Sequence, residues 1–124
     1  MNTVILVAAG KSERMGSNTD KAFLSLGPRP VIAWSLLAFE QCPVIDHIVL
    51  VVRKDQMLAA KSVAQMFGIS KLRHVVAGGA RRQDSVQNGM KEMDPETRVV
   101  VVHDGARPCV TPELIDETIK MAKR

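Results

Sequence analysis

The chain has 124 residues, enough for one hydrophobic core of ordinary size, and its balance of 46% hydrophobic and 24% charged residues is globular rather than disordered. Its net charge of +4 is scattered, with no dense basic run. Aromatic residues make up only 3% and tyrosine is absent, so exposed bases would find few rings to stack on and no nucleic-acid partner is expected.

Residues 3–8 open the chain with an apolar, β-branched run that reads as a buried strand. It is too short to span a membrane and lacks the charged start and cleavage pattern of a signal peptide. No membrane partner and a cytoplasmic location are expected, with Cys42 and Cys109 as reduced thiols that follow no ligand spacing. Residues 31–41 place Ile32, Trp34, Leu36, Leu37 and Phe39 densely enough for a well-buried helix. A second strand is expected at 47–52, then a helix over 55–67 with a narrower apolar stripe. A third strand at 73–77 leads to a helix over 84–93, where Val86, Met90 and Met93 align. The fourth strand, 98–103, carries four valines, and Thr111-Pro112 starts a last helix running towards Arg124, a cap residue followed by proline at the first helical position.

Strands alternating with helices imply right-handed βαβ units and an α/β fold: a Rossmann-like parallel sheet with helices on both faces. The chain ends inside or just after a helix without a closing strand, an odd place for an α/β domain to finish. Ligands of such sheets sit at the carboxyl ends of the strands. That rule selects residues 9–21, 78–85 and 104–107.

In the first segment, the small residues Ala8, Ala9 and Gly10 precede Lys11, Ser12, Arg14, Met15, Gly16 and Lys21. Small residues let backbone N–H groups approach phosphate oxygens, and fixed cations balance a triphosphate. The loop is not a Walker A motif, because Ile5 stands where its first glycine belongs; the dinucleotide spacing fails at Ser12. A glycine-rich turn with surface cations is the competing reading. In the second segment, Gly78 and Gly79 allow backbone contact with a planar base, Arg82 can meet a phosphate, and Ser85 can bond a base edge. The alternative is a plain βα turn with Asp84 or Ser85 as helix cap. In the third, Asp104 stands just past the valine strand, well placed to hold a divalent metal beside phosphates, or else it caps the turn at Gly105 with Arg107 as surface partner. His47, His74 and His103 lack ligand spacing and read as structural or solvated.

Together and in this order the segments resemble the methylerythritol phosphate cytidylyltransferase family. Ala8, Ala9, Gly10, Arg14, Met15 and Lys21 match its first motif, and Gly78, Gly79, Arg82, Asp84, Ser85 and Val86 its second. Its third, His-Asp-Ala-Ala-Arg-Pro, stands here as His103, Asp104, Gly105, Ala106, Arg107 and Pro108. Ser12, Asp20, Ala22, Ala80 and Gly105 depart from the family pattern without removing Arg14, Lys21, Arg82, Ser85 or Asp104.

The resemblance implies a fold of the nucleotide-diphospho-sugar transferase type. It implies transfer of CMP from CTP to 2-C-methyl-D-erythritol 4-phosphate, with release of pyrophosphate, in non-mevalonate isoprenoid biosynthesis. Arg14 and Lys21 would be the catalytic cations and Asp104 the Mg²⁺ ligand. Ala8, Ala9, Gly10, Lys11, Ser12, Met15, Gly16, Gly78, Gly79, Ala80, Arg82, Ser85, Gly105, Ala106 and Arg107 would bind the nucleotide. The family's second half supplies the acceptor site and the arm of a homodimer, and this chain stops before both, so the resemblance implies that residues 1–124 are a single nucleotide-binding (CTP) domain, incomplete relative to the family. Two other readings stay open: a ribitol 5-phosphate or other polyol- or sugar-phosphate cytidylyltransferase, and a nucleotide-binding module that is catalytically incomplete.

Overall fold

A computed structural model describes residues 1–9, 25–26 and 29–104 of the chain. Strand β1, Asn2–Ala8, is buried along its whole length because it lies at the centre of a four-stranded sheet with residues packed on both faces. A short antiparallel pair follows, β2 (Ser25–Leu26) with β3 (Arg29–Pro30), and leads straight into helix α1, Val31–Glu40. Strand β4 (His47–Val52), a single 3-10 turn (Lys54–Gln56) and α2 (Met57–Met66) come next. Strand β5 (Leu72–Ala77), α3 (Arg82–Met90) and β6 (Val99–Asp104) complete the described part. The last helix expected from Thr111 lies outside the described residues.

The main sheet runs in the spatial order β5-β4-β1-β6, and every pairing is parallel. Alternation along β1 divides the core. Val4, Leu6 and Ala8 face one side, where Ile32, Leu36 and Phe39 of α1 and Ala60 and Ala64 of α2 pack. Ile5 and Val7 face the other, beneath Val86 of α3 and Met93 beyond it. The chain winds outward through β4 and β5 with its helices on the first face, then crosses back to β6 over the second. That change of face is what right-handed crossovers require once the direction of travel reverses.

All four expected strands and three helices are present, with shifts at their ends. Strand β5 begins one residue early, at Leu72, and the β4–β5 register slips beside Arg73. The second helix divides into the 3-10 turn and α2. The third starts at Arg82 rather than Asp84, because Asp84 is its third residue and accepts the backbone N–H of Arg81 at 3.2 Å. Strand β6 runs through Asp104, which therefore belongs to the strand instead of following it; β1 extends far enough to pair it with Val7.

Helix α3 also departs from its expected packing. Met90 is exposed, whereas the fully buried positions are Ser85 and Gly89. A Cβ on Gly89 would stand 2.8 Å from Ile5 Cγ2 and 3.0 Å from Val51 Cγ2, so the absent side chain is what lets the helix lie close on the sheet. Of the apolar stripe, Val86 and Met93 pack on the sheet and only Met90 does not, because α3 makes its closest approach through its smallest residues.

Candidate functional site

The strand order places β1 between neighbours reached in opposite directions, β4 first and β6 last. Helix α1, after β1, and helix α3, before β6, lie on opposite faces, and at such a reversal ligands of parallel sheets bind in the crevice beyond the carboxyl ends of the strands. Residues at four strand ends therefore decide what the crevice offers: Ala9, Arg53, Gly78 and Asp104.

At β5 the chain turns through Gly78 and Gly79 into α3. The Gly78 N–H donates to Val52 O at 2.7 Å, extending the ladder one step past the strand. A side chain there has no room: a Cβ would collide with that of Ala9 and come within 2.8 Å of Ser85 Oγ. At Gly79 a Cβ would collide with that of Asp84. Ser85, 2% exposed, accepts the Gly79 N–H on its Oγ at 3.1 Å, and Asn88 Nδ2 donates to Ala77 O at 3.0 Å. Asp84 takes the Arg81 guanidinium, with Nε at 3.2 Å from Oδ2. The turn is thus a closely packed unit in which glycines, serine and aspartate shape one another. Both readings of this segment meet in it, since Asp84 supports the helix start while the two glycines line a cleft.

That cleft, of about 600 Å³, lies over the ends of β1, β4 and β5 and is lined by Ala9, Arg53, Lys54, Asp55, Gly78 and Gly79. Its size is that of a small-molecule site. A second cleft, of about 330 Å³, is lined by Arg82, Val102, His103 and Asp104. It joins the second and third segments picked out in the sequence. Alternation along β6 explains the grouping. His103 turns to the α1 face, its ring edge-on to Phe39 at 5.3 Å, so Asp104 turns to the α3 face, where Arg82 begins the helix. Ala80 is exposed on the turn between the two.

Of the first segment only Ala8 and Ala9 are described; Gly10, Lys11, Ser12, Arg14, Met15, Gly16 and Lys21 lie outside the described residues, as do Gly105, Ala106 and Arg107. His47 and His74 remain at their strand starts, with His74 Nδ1 3.9 Å from Glu92 Oε2. Among the described residues no three His, Cys, Asp or Glu side chains gather as a metal cage.

The model of the 2-C-methyl-D-erythritol 4-phosphate cytidylyltransferase family matches residues 2–124. The chain belongs to this family. It is 39% identical over 122 residues to the cytidylyltransferase of that name from Alkaliphilus oremlandii, covering 98% of this chain and 52% of the relative. Its identity to the Clostridium botulinum protein of the same name is 40% over 123 residues, covering 99% of this chain and 54% of that one. Among solved structures it is similar to the 4-diphosphocytidyl-2C-methyl-D-erythritol synthase of Anaerococcus prevotii, with a TM-score of 0.85 and 30% identity over 99% of this chain and 51% of that one. The chain therefore spans about half the length of the relatives it matches.

Membership of the family accounts for the three segments standing at strand ends. It does not single out Arg53, Lys54 and Asp55, which the sequence reading passed over. The carboxyl-end rule that selected the other segments applies equally to the residues after β4, and would have found them.

Proposed function

We propose that this chain is the CTP-binding half of a cytidylyltransferase that transfers CMP to 2-C-methyl-D-erythritol 4-phosphate and releases pyrophosphate. The observation that carries the reading is the pair of clefts at the switch point of the sheet, one floored by Ala9, Gly78 and Gly79, the other holding Arg82 and Asp104. Family membership supplies the substrate class. A ribitol 5-phosphate acceptor differs only in what the other half of such an enzyme would recognise.

In this reading the acceptor phosphate oxygen attacks the α-phosphorus in line, opposite the departing pyrophosphate, and no protein nucleophile takes part. Catalysis rests on positioning two anions and balancing charge at phosphorus. Arg14 and Lys21 hold the triphosphate and stabilise the transition state. The glycine turn and Ser85 shape the floor beneath the base. Arg82 faces the phosphates from the start of α3.

Mg²⁺ fits the donor set. Asp104 is a half-buried carboxylate, and Mg²⁺ takes oxygen ligands, commonly one or two carboxylates with substrate phosphates and water. The ion would supply charge neutralisation between phosphates, with Asp104 as its protein ligand. A cytoplasmic setting suits two cysteines with no ligand spacing, and no helix among the described residues is long and apolar enough to cross a membrane.

The test is titration of CTP and UTP into the chain with and without Mg²⁺. CTP is expected to bind at least about tenfold more tightly than UTP, a difference of about 1.4 kcal/mol. Asp104→Asn is expected to abolish the gain from Mg²⁺. Equal affinity for the two nucleotides, or a gain that survives the substitution, would sink this assignment.

A further inference from the structure

The segment after β4 carries a charged pair that the mechanism above does not use. Arg53 is the first residue beyond the strand, and its Nη2 donates to Asp55 Oδ2 at 2.8 Å. The Arg53 side chain is only 20% exposed, whereas that of Asp55 is 61% exposed. Both residues line the larger cleft with Ala9, Gly78 and Gly79.

Its position along the sheet indicates which end of a nucleotide it would meet. Asp104 and Arg82 mark the smaller cleft at β6, while Arg53 lies at β4, on the far side of β1. Neighbouring strands are about 4.8 Å apart, so about 10 Å separates the two strand ends. A nucleotide whose phosphates sit with Asp104 reaches across that distance with its sugar and base. Among the described residues, Ala9, Gly78 and Gly79 line the part of the cleft beside the charged segment with nothing larger than a methyl, which leaves space for a flat ring. A guanidinium is planar, stacks on aromatic faces and donates to carbonyl oxygens, and the carboxylate of Asp55 restricts its swing.

We propose that Arg53, held by Asp55, is a binding residue that meets the pyrimidine end of the nucleotide rather than its phosphates. The proposal rests on the CTP reading given above, and the experiment separates the two.

Calorimetric titration of CTP and of inorganic tripolyphosphate, both with Mg²⁺, is carried out on the wild-type chain, Arg53→Gln and Arg53→Lys. Both variants are expected to bind CTP about tenfold more weakly, the loss of a hydrogen bond from a charged group, with tripolyphosphate affinity unchanged. Arg53→Lys keeps the charge and discards the plane, so full CTP affinity in that variant overturns the proposal. Equal losses for CTP and tripolyphosphate, in variants whose urea midpoints match wild type, would make Arg53 a phosphate contact and overturn it as well. A wild-type chain that binds no CTP overturns both this assignment and the function it rests on. CTP binding that is the same in wild type and both variants removes Arg53 alone.

Discussion

Gly78 is fixed by its neighbours before any ligand arrives. The Ala9 methyl and Ser85 Oγ occupy the space a Cβ would need, and both belong to backbone that the sheet and α3 hold in place. Gly78→Ala is therefore expected to cost about 1–3 kcal/mol, as overpacking commonly does, and to weaken CTP binding by shifting the floor of the cleft. The checks are the urea midpoint and a CTP titration; a variant as stable as wild type would show that the turn yields easily. Among the described residues, the positions that line the clefts were partly legible at this scale. Ala9, Gly78 and Gly79 were legible because small residues after an apolar run announce a loop, and with Arg82 and Asp104 they line two clefts. Ser85 was legible as a residue of the segment but not as the acceptor of the Gly79 N–H, since that bond exists only once α3 folds back on β5. Arg53 was missed because an arginine after a strand looks, in sequence, like any solvated cation.

Elements were legible where burial repeats. Strand β4 has the ends expected of it, and α1 differs by one residue, because long apolar runs leave little choice of partner. Ends were less legible where hydrogen bonds made only in the fold set them, as Asp84 does at the start of α3 and pairing with β1 does at the end of β6. The end of α1 is also held by bonds to a distant segment. Glu40, its last residue, accepts the Lys71 N–H at 2.8 Å and the Ser70 hydroxyl at 2.7 Å, while Lys71 Nζ donates to Cys42 O at 2.7 Å. Partial burial by itself would raise the Glu40 pKa, but those hydrogen bonds, with the Lys71 charge, outweigh it and lower the value below the ordinary 4.5. A carboxylate with a depressed folded-state pKa stabilises the fold fully above its unfolded value and loses that contribution as the pH falls through the folded one. Glu40→Gln is thus expected to be less stable than wild type at neutral pH, with the gap narrowing steadily as the pH drops below 4.5. Urea unfolding of both proteins across that range is the measurement. A gap that stays constant, or widens in acid, would mean that the clamp does not depend on the charge.

At the scale of the whole chain, the strand order separates what these residues can do from what an entire relative does. Reversing direction after β5 brings the carboxyl ends of β1 and β6 side by side, and the residues lining the two clefts come from segments about twenty to forty-five residues apart along the chain. This half of the relatives' length holds the three family segments. In the proposed function, binding of CTP rests on the cations, the glycine turn and the carboxylate of Asp104, whereas turnover also needs an acceptor phosphate held in line with the α-phosphorus. Orienting two reactants can supply about 7–11 kcal/mol of a barrier, so a chain that fixes only one of them loses most of its rate while retaining most of its affinity. We expect the 124-residue chain to bind Mg²⁺ and CTP within about tenfold of a full-length relative. Release of pyrophosphate in the presence of methylerythritol phosphate is expected to be at least about a hundredfold slower, with ribitol 5-phosphate no better as acceptor. Parallel calorimetry and pyrophosphate assays on the two proteins decide the matter. Turnover equal to the relative's would show that the acceptor site lies within these residues, and a chain that binds no nucleotide would show that the crevice alone does not make a site.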